Sequence, residues 1–178
     1  MRLAGNPALS ALRETGRLRA ICSRDDPASV EALLGRTGVF SAAEIAIGRE
    51  LIEERLRRGA ASGYEFRFAG SGIDLLGYCC FGPIPLTDAA WDLYWIAVDP
   101  AARGRGIGQR LLGAAEEAAT GAGCRAIYID TSSRPDYAPA HRLYEAAGYR
   151  IEARFADFFA PGDDKLVFAR RIEIPRTG

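Results

Sequence analysis

The 178-residue chain has one lysine, one histidine and one methionine, and its four cysteines form no C-x-x-C pair. Each scarcity removes a class of chemistry. His141 alone, with Cys22, Cys79, Cys80 and Cys124 scattered along the chain, gives no spacing at which a zinc site is assembled. No metal is expected, and the cysteines read as buried free thiols of a reducing compartment. Net charge is also missing, because Lys+Arg and Asp+Glu both number 23. No bulk field therefore attracts nucleic acid or an anionic membrane, and neither is an expected partner. The opening MRLAGNPALSALRETGRLRA has no uninterrupted apolar stretch, and no later run approaches membrane-spanning length, so a cytoplasmic location is expected. All basic side chains except Lys165 are arginines. That reads as the coding bias of the source, which a phosphate ligand can exploit locally.

What is present is ordinary globular material, 48% hydrophobic and 26% charged, enough for one domain with its own core. Residues 1–16 are weakly patterned and read as a loosely ordered leader; 17–178 read as one domain. RLRAICS (17–23) alternates as a first strand. Asp26 followed by Pro27 predicts a helix with Asp26 as its N-cap, running to about Arg36 and stopping at Gly38. Ser41 and Glu44 make a capping box for a second helix ending at Gly59, with Ile45, Leu51, Ile52 and Leu56 as its buried stripe. From Tyr64 the period becomes strand-like: YEFRFAG, IDLLGYCCFGPIP and WDLYWIAVDP read as an antiparallel meander. A helix over 108–123, a strand over 124–132, a short helix closed by Gly148, and two strands joined by PGDD follow. The order β-α-α-β-β-β-α-β-α-β-β places one parallel pairing, through 91–132, in a mostly antiparallel sheet.

The stretch VDPAARGRGIGQRLL (98–112) carries the sharpest signal. It lacks the lysine and hydroxyl of a Walker A loop, and Gln109 stands where a dinucleotide fingerprint needs its last glycine. The pattern that fits is R-x-x-G-x-G from Arg103, Gly106 and Gly108, after a strand and opening a helix. Unpaired N–H groups and the helix dipole favour an anion there, glycines let it come close, and Arg103 and Arg105 flank it. The approaching group reads as a pyrophosphate.

WIAVDPAARGRGIGQRLL together with the later AHRLYEAAGY resembles the GCN5-related N-acetyltransferase (GNAT) superfamily, in its acetyl-coenzyme A motif and its L-Y-E-x-x-G-[FY] helix. The element order agrees from residue 17 onward. The resemblance implies an α/β (α+β) fold with a central mixed, mostly antiparallel sheet, a splayed parallel strand pair, and helices on both faces. It implies acetyl-CoA as co-substrate and an amine acceptor, either a small molecule, an amino acid or a peptide. Backbone groups of Ile96, Ala97 and Val98 would bind the pantetheine arm, and Arg103, Gly104, Arg105, Gly106, Ile107 and Gly108 the pyrophosphate. Tyr144 matches the tyrosine that protonates the departing thiolate; its other reading is a core aromatic on an amphipathic helix. Many relatives carry an asparagine seven residues earlier, where this chain has Tyr137. That aromatic would pack on the cofactor or cap the helix, leaving Ser132 or Ser133 to supply the polar contact.

Direct attack by an amine requires removal of a proton. Asp92, expected on the strand face of Tyr94 and Ile96, matches the position of a glutamate base in the histone-acetylating branch. Its other reading is an aspartate of the turn TDAAWD. Glu65 and Asp74 are weaker candidates, and His141 is expected to face solvent. For the acceptor, Phe40, Phe158 and Phe159 offer an apolar wall, and Asp157, Asp163 and Asp164 offer negative charge, although PGDD is also good turn chemistry. The competing functional class is a non-catalytic acyl-CoA-binding module. A monomer or a homodimer is expected.

Overall fold

A computed structural model of the chain describes residues 18–70 and 75–172. The expected leader, Asp74, and the ends of some expected strands lie outside them. The elements are β1 (Leu18–Arg19), α1 (Asp26–Thr37), α2 (Ala42–Arg58), β2 (Glu65–Ala69), β3 (Gly77–Pro83), β4 (Ala90–Val98), α3 (Ile107–Gly121), β5 (Ala126–Ser132), α4 (Ala138–Ala146), β6 (Arg150–Ala160) and β7 (Asp163–Arg171). Single 3-10 turns occupy Gly59–Ser62, Pro100–Ala102 and Pro135–Tyr137. The strands form one sheet in the order β1-β2-β3-β4-β5-β7-β6, parallel between β4 and β5 and antiparallel elsewhere.

Helices cover both faces. On one, Ile107, Leu111, Leu112 and Ala115 of α3 and Tyr144 of α4 pack on Trp91, Leu93, Ile127, Ile129 and Phe168. On the other, Val30, Leu33 and Leu34 of α1 and Ile52 of α2 pack on Phe66, Phe68, Tyr78 and Cys80. The capping box of α2 is formed, with the Glu44 amide donating to Ser41 Oγ and the Ser41 amide to Glu44 Oε2. The stripe of α2 is shifted from expectation: Leu56 is exposed, and Gly48 is the buried contact, because a Cβ there would lie 2.6 Å from Leu34 Cδ1.

The start of the domain differs from the sequence reading. Among the described residues the first strand covers only Leu18–Arg19 and not the expected run to residue 23, and Asp25, not Asp26, precedes α1. Asp26 is buried, and its carboxylate accepts from Arg19 Nη1 and Nη2, each at 2.7 Å, and from the Ser23 amide at 2.6 Å. These bonds tie the segment after Arg19 to the start of α1.

Tyr78 is fully buried beneath α2, and its hydroxyl has no hydrogen-bond partner among the described residues. Burying an unpaired hydroxyl is unfavourable. Tyr78→Phe is therefore expected to leave stability unchanged or raise it by about 1 kcal/mol in urea denaturation. A clear loss would reveal a partner for the hydroxyl.

Candidate active site

The parallel pairing of β4 with β5 is short. It covers Ala90↔Ala126, Trp91↔Ile127 and Asp92↔Tyr128, after which β4 runs on to Val98 and β5 to Ser132 without partners on that side. The divergence begins at a bulge. Cys80 faces Trp95 and Phe81 faces Leu93 across β3, so Tyr94 is the extra residue. Alternate backbone groups of the splayed half of β4 thus face an opening of the kind an extended chain fills by adding a strand. The bulge also reverses the side-chain alternation. Asp92 shares a face with Tyr94, whereas Ile96 and Val98 pack against the α3/α4 layer, so the expected common face of Asp92 and Ile96 is not formed. Ala97 is buried on the α1/α2 side.

Beyond Val98, Asp99 closes the strand. Its Oδ1 accepts from the Ala101 amide at 2.9 Å and its Oδ2 from Arg36 Nε at 2.7 Å. Burial pushes this carboxyl up, but the bonds from Arg36 and Ala101 outweigh it and hold it below the usual range. The chain then turns through Arg103–Gly106. Gly104 and Gly106 have φ of +74° and +72°. A Cβ at Gly104 would meet nothing within 4 Å, and one at Gly106 only Gln109 Oε1 at 3.6 Å. These two glycines are therefore required by backbone conformation and not by packing. Gly108 differs, since its Cβ would lie 3.2 Å from Leu143 Cδ2 and 3.7 Å from Val98 Cγ2. It lets the first turn of α3 approach α4 and the end of β4. Ile107 anchors that turn in the core, while Arg103 and Arg105 are exposed beside it. No side chain caps the helix start, so its first amides remain free donors under the positive end of the dipole.

Tyr144 is 4% exposed, with its ring 5.5 Å from that of Phe168 and 6.3 Å from that of Tyr149. Burial pushes its phenol well above the ordinary value, so the hydroxyl keeps its proton at any working pH. On the opposite face Asp92 is half-buried. Burial, then the charge of Asp130, raise its carboxyl to about 6, while Lys165 pulls it down.

The chain matches the model of the acetyltransferase (GNAT) family over residues 46–149, more than half its length. It belongs to that family. A GNAT-family protein of known structure from Desulfovibrio desulfuricans is 37% identical, with a TM-score of 0.85, covering 88% of this chain and 99% of that one. A Salmonella typhimurium protein solved with its cofactor acetyl-CoA shares the fold, with a TM-score of 0.69 at 18% identity over 91% of this chain and 96% of that one. An uncharacterised protein of Mycobacterium leprae is 40% identical over 84 residues, which are 47% of this chain and 22% of that protein. The chain thus matches only about a fifth of the length of that curated relative.

Within this GNAT fold the remaining candidates separate clearly. Tyr137 is half-buried. Its ring lies 6.3 Å edge-on to Phe40, which is 5.1 Å from Trp95, and the Arg134 guanidinium sits 5.3 Å above it. Trp95 stands on the splayed half of β4 and Tyr137 follows β5, so this aromatic row bridges the opening. The serine hydroxyls are engaged within the chain. Ser132 Oγ donates to Asp163 Oδ1 at 2.5 Å, and Ser133 Oγ accepts from the Asp164 amide at 2.8 Å.

The hairpin acids do not wait for an amine. Asp164 is buried; bonds from the Asp157 amide (2.9 Å) and from Arg154 hold its carboxyl below the usual range. Asp157 Oδ1 accepts from the Gly162 amide at 2.6 Å, and Asp157 itself has φ of +53°. Together they shape a wide bulge between Phe155 and Ala160 that leaves Phe158 and Phe159 more than half exposed. His141 is not solvent-facing as expected: its Nε2 lies 3.0 Å from the Ser132 carbonyl, its ring 5.5 Å from Phe168, and burial lowers its pKa. Glu65 pairs with Arg55 at 3.3 Å. All four cysteines are free, and Cys79, Cys80 and Cys124 are buried. Among the described residues no group of three or more His, Cys, Asp or Glu gathers as a metal site, and no helix is long and apolar enough to cross a membrane.

Proposed function

We propose that the protein transfers the acetyl group of acetyl-CoA to a primary amine by direct attack. The observation that carries this reading is the unpaired half of β4 running straight into a turn held open by Gly104 and Gly106. Backbone groups of Ile96, Ala97 and Val98 hold the pantetheine arm as a neighbouring strand would. Free amides from Arg103 to Gly108, with the two guanidinium groups beside them, hold the pyrophosphate. Tyr137 flanks the arm at the mouth of the opening.

Acetyl-CoA supplies a thioester carbonyl and a thiolate leaving group. As the amine nitrogen bonds to the carbonyl carbon and the carbon–sulfur bond breaks, one proton must leave nitrogen and one must reach sulfur. Asp92, directly or through water, takes the first, and Tyr144 gives the second. Since the Asp92 carboxyl sits at about 6, kcat/KM is expected to lose a proton acceptor as pH drops through that value, an acidic limb additional to the one that protonation of the free amine imposes at higher pH.

The test is thiol release from acetyl-CoA against pooled acceptors: amino acids of both hands, polyamines, aminoglycosides, short peptides and protein N-termini. Saturable release with one pool establishes transfer and names the acceptor class. Silence in every pool, with acetyl-CoA binding intact, shifts weight to an acceptor outside the pools, another acyl donor or a binding module.

A further inference from the structure

The sheet face that carries Asp92 is covered by α1 and α2 only over β2, β3 and the end of β4. Across β5 and β7 no described helix covers it, and its side chains follow from the register. Trp91 and Leu93 point into the α3/α4 layer, as do Ile127, Ile129, Leu166 and Phe168. Asp92, Tyr128, Asp130, Lys165 and Val167 therefore share the other face. Asp92 faces Tyr128 in the parallel register, which puts Asp130 one diagonal step away, where the strands begin to part. Asp130 is paired in turn by Lys165 from β7, whose ammonium also lies 5.1 Å above the Phe158 ring. The lysine side chain is 22% exposed and that of Asp130 48%. In a chain whose other cations are all arginine, this position holds the single lysine.

We infer that Asp130 and Lys165, ion-paired on the sheet face of Asp92 and one diagonal step from it, are a positioning pair for that carboxylate. The inference rests on the reading of Asp92 as the proton acceptor. The opposed signs of their charges agree with the influences named for Asp92 above. Among the described residues, the other groups around it are neutral or already paired. Tyr94 is its neighbour on β4, and Arg171 contacts the Tyr128 hydroxyl at 3.3 Å while pairing with Glu152. Glu65 is held by Arg55, and Glu116, on the opposite face, by Arg170 at 2.8 Å. Of these, Asp130 and Lys165 alone act on Asp92 as a linked pair, the one cation drawing charge from the one neighbouring anion.

Two readouts separate the pair from the mechanism. The first is the titration of the Asp92 carboxyl carbon by NMR in protein labelled at aspartate, assigned by its disappearance in Asp92→Asn. The second is the acidic limb of kcat/KM for acetyl transfer. Asp130→Asn is expected to move the carboxyl midpoint down, and Lys165→Met to move it up, each by roughly half a pH unit or more. Lys165→Arg, which keeps the charge, is expected to keep the midpoint. Midpoints that stay put, or that move in the same direction in Asp130→Asn and Lys165→Met, overturn the pair. If the carboxyl moves as expected while the kinetic limb does not follow, the pair stands and Asp92 is not the base. Should Lys165→Met fold poorly, reagents that acetylate or methylate amines reach only Lys165 and the N-terminus. Acetylation removes the charge and should move the midpoint up, whereas reductive methylation retains the charge and should not; equal effects overturn the pair.

Discussion

Tyr144→Phe is expected to lower kcat by about a hundredfold to ten-thousandfold, the usual contribution of a positioned general acid, with the KM for acetyl-CoA little changed. The substitution removes one oxygen from a ring packed against Phe168 and Tyr149, and phenylalanine keeps that packing. Thermal unfolding should therefore show a fold of similar stability, which separates the lost proton donor from a damaged core. Burial holds the phenol protonated far above neutral pH, so no alkaline limb in kcat should come from its ionisation. Turnover in Tyr144→Phe equal to that of the parent would return Tyr144 to the role of a core aromatic.

Much of this site was legible because its signals are local. The capping box of α2, the proline-terminated strand before the glycine turn, and the short helix closed by Gly148 each depend on residues a few positions apart. The splayed parallel pair followed from the strand–helix–strand order together with the family resemblance. What could not be read depends on partners far along the chain. The bulge at Tyr94 exists only relative to β3, and it reverses the facing of Ile96, which strict alternation had placed beside Asp92. Asp99 is held by Arg36, 63 residues earlier. Asp163 and Asp164 look like generic turn residues, yet they tie the β6–β7 hairpin to Ser132 and Ser133 at the end of β5. No spacing rule announces such contacts.

Lys165 is a different case. Its pairing with Asp130 was hidden, but its solitude was in plain view, as was its alternation with Leu166 on a strand whose apolar positions face the core. A lone residue of one type, set on the polar face of a strand beside a candidate base, is a signal that composition and parity together provide.

Gly106→Val is expected to weaken binding of coenzyme A by roughly tenfold to several hundredfold, the range for losing one or two hydrogen bonds to a charged group. The reasoning starts from φ of +72° with nothing but Gln109 Oε1 near the missing Cβ. A β-branched residue strongly disfavours that conformation, so the loop escapes by rotating its peptide planes and turning its amides away from the site. The space around Gly106 is open, so the core pays little attention, and the loss in folding stability should stay near 1 to 2 kcal/mol. Gly108→Val supplies the contrast. Its side chain would press on Leu143 and Val98, loosening α3 from α4, so stability should fall at least as much as affinity. Isothermal titration with coenzyme A and urea denaturation, run on both variants, read the two effects separately. Parent-like affinity in Gly106→Val would rule out a cradle of backbone amides and leave Arg103 and Arg105 as the only anion contacts at this turn.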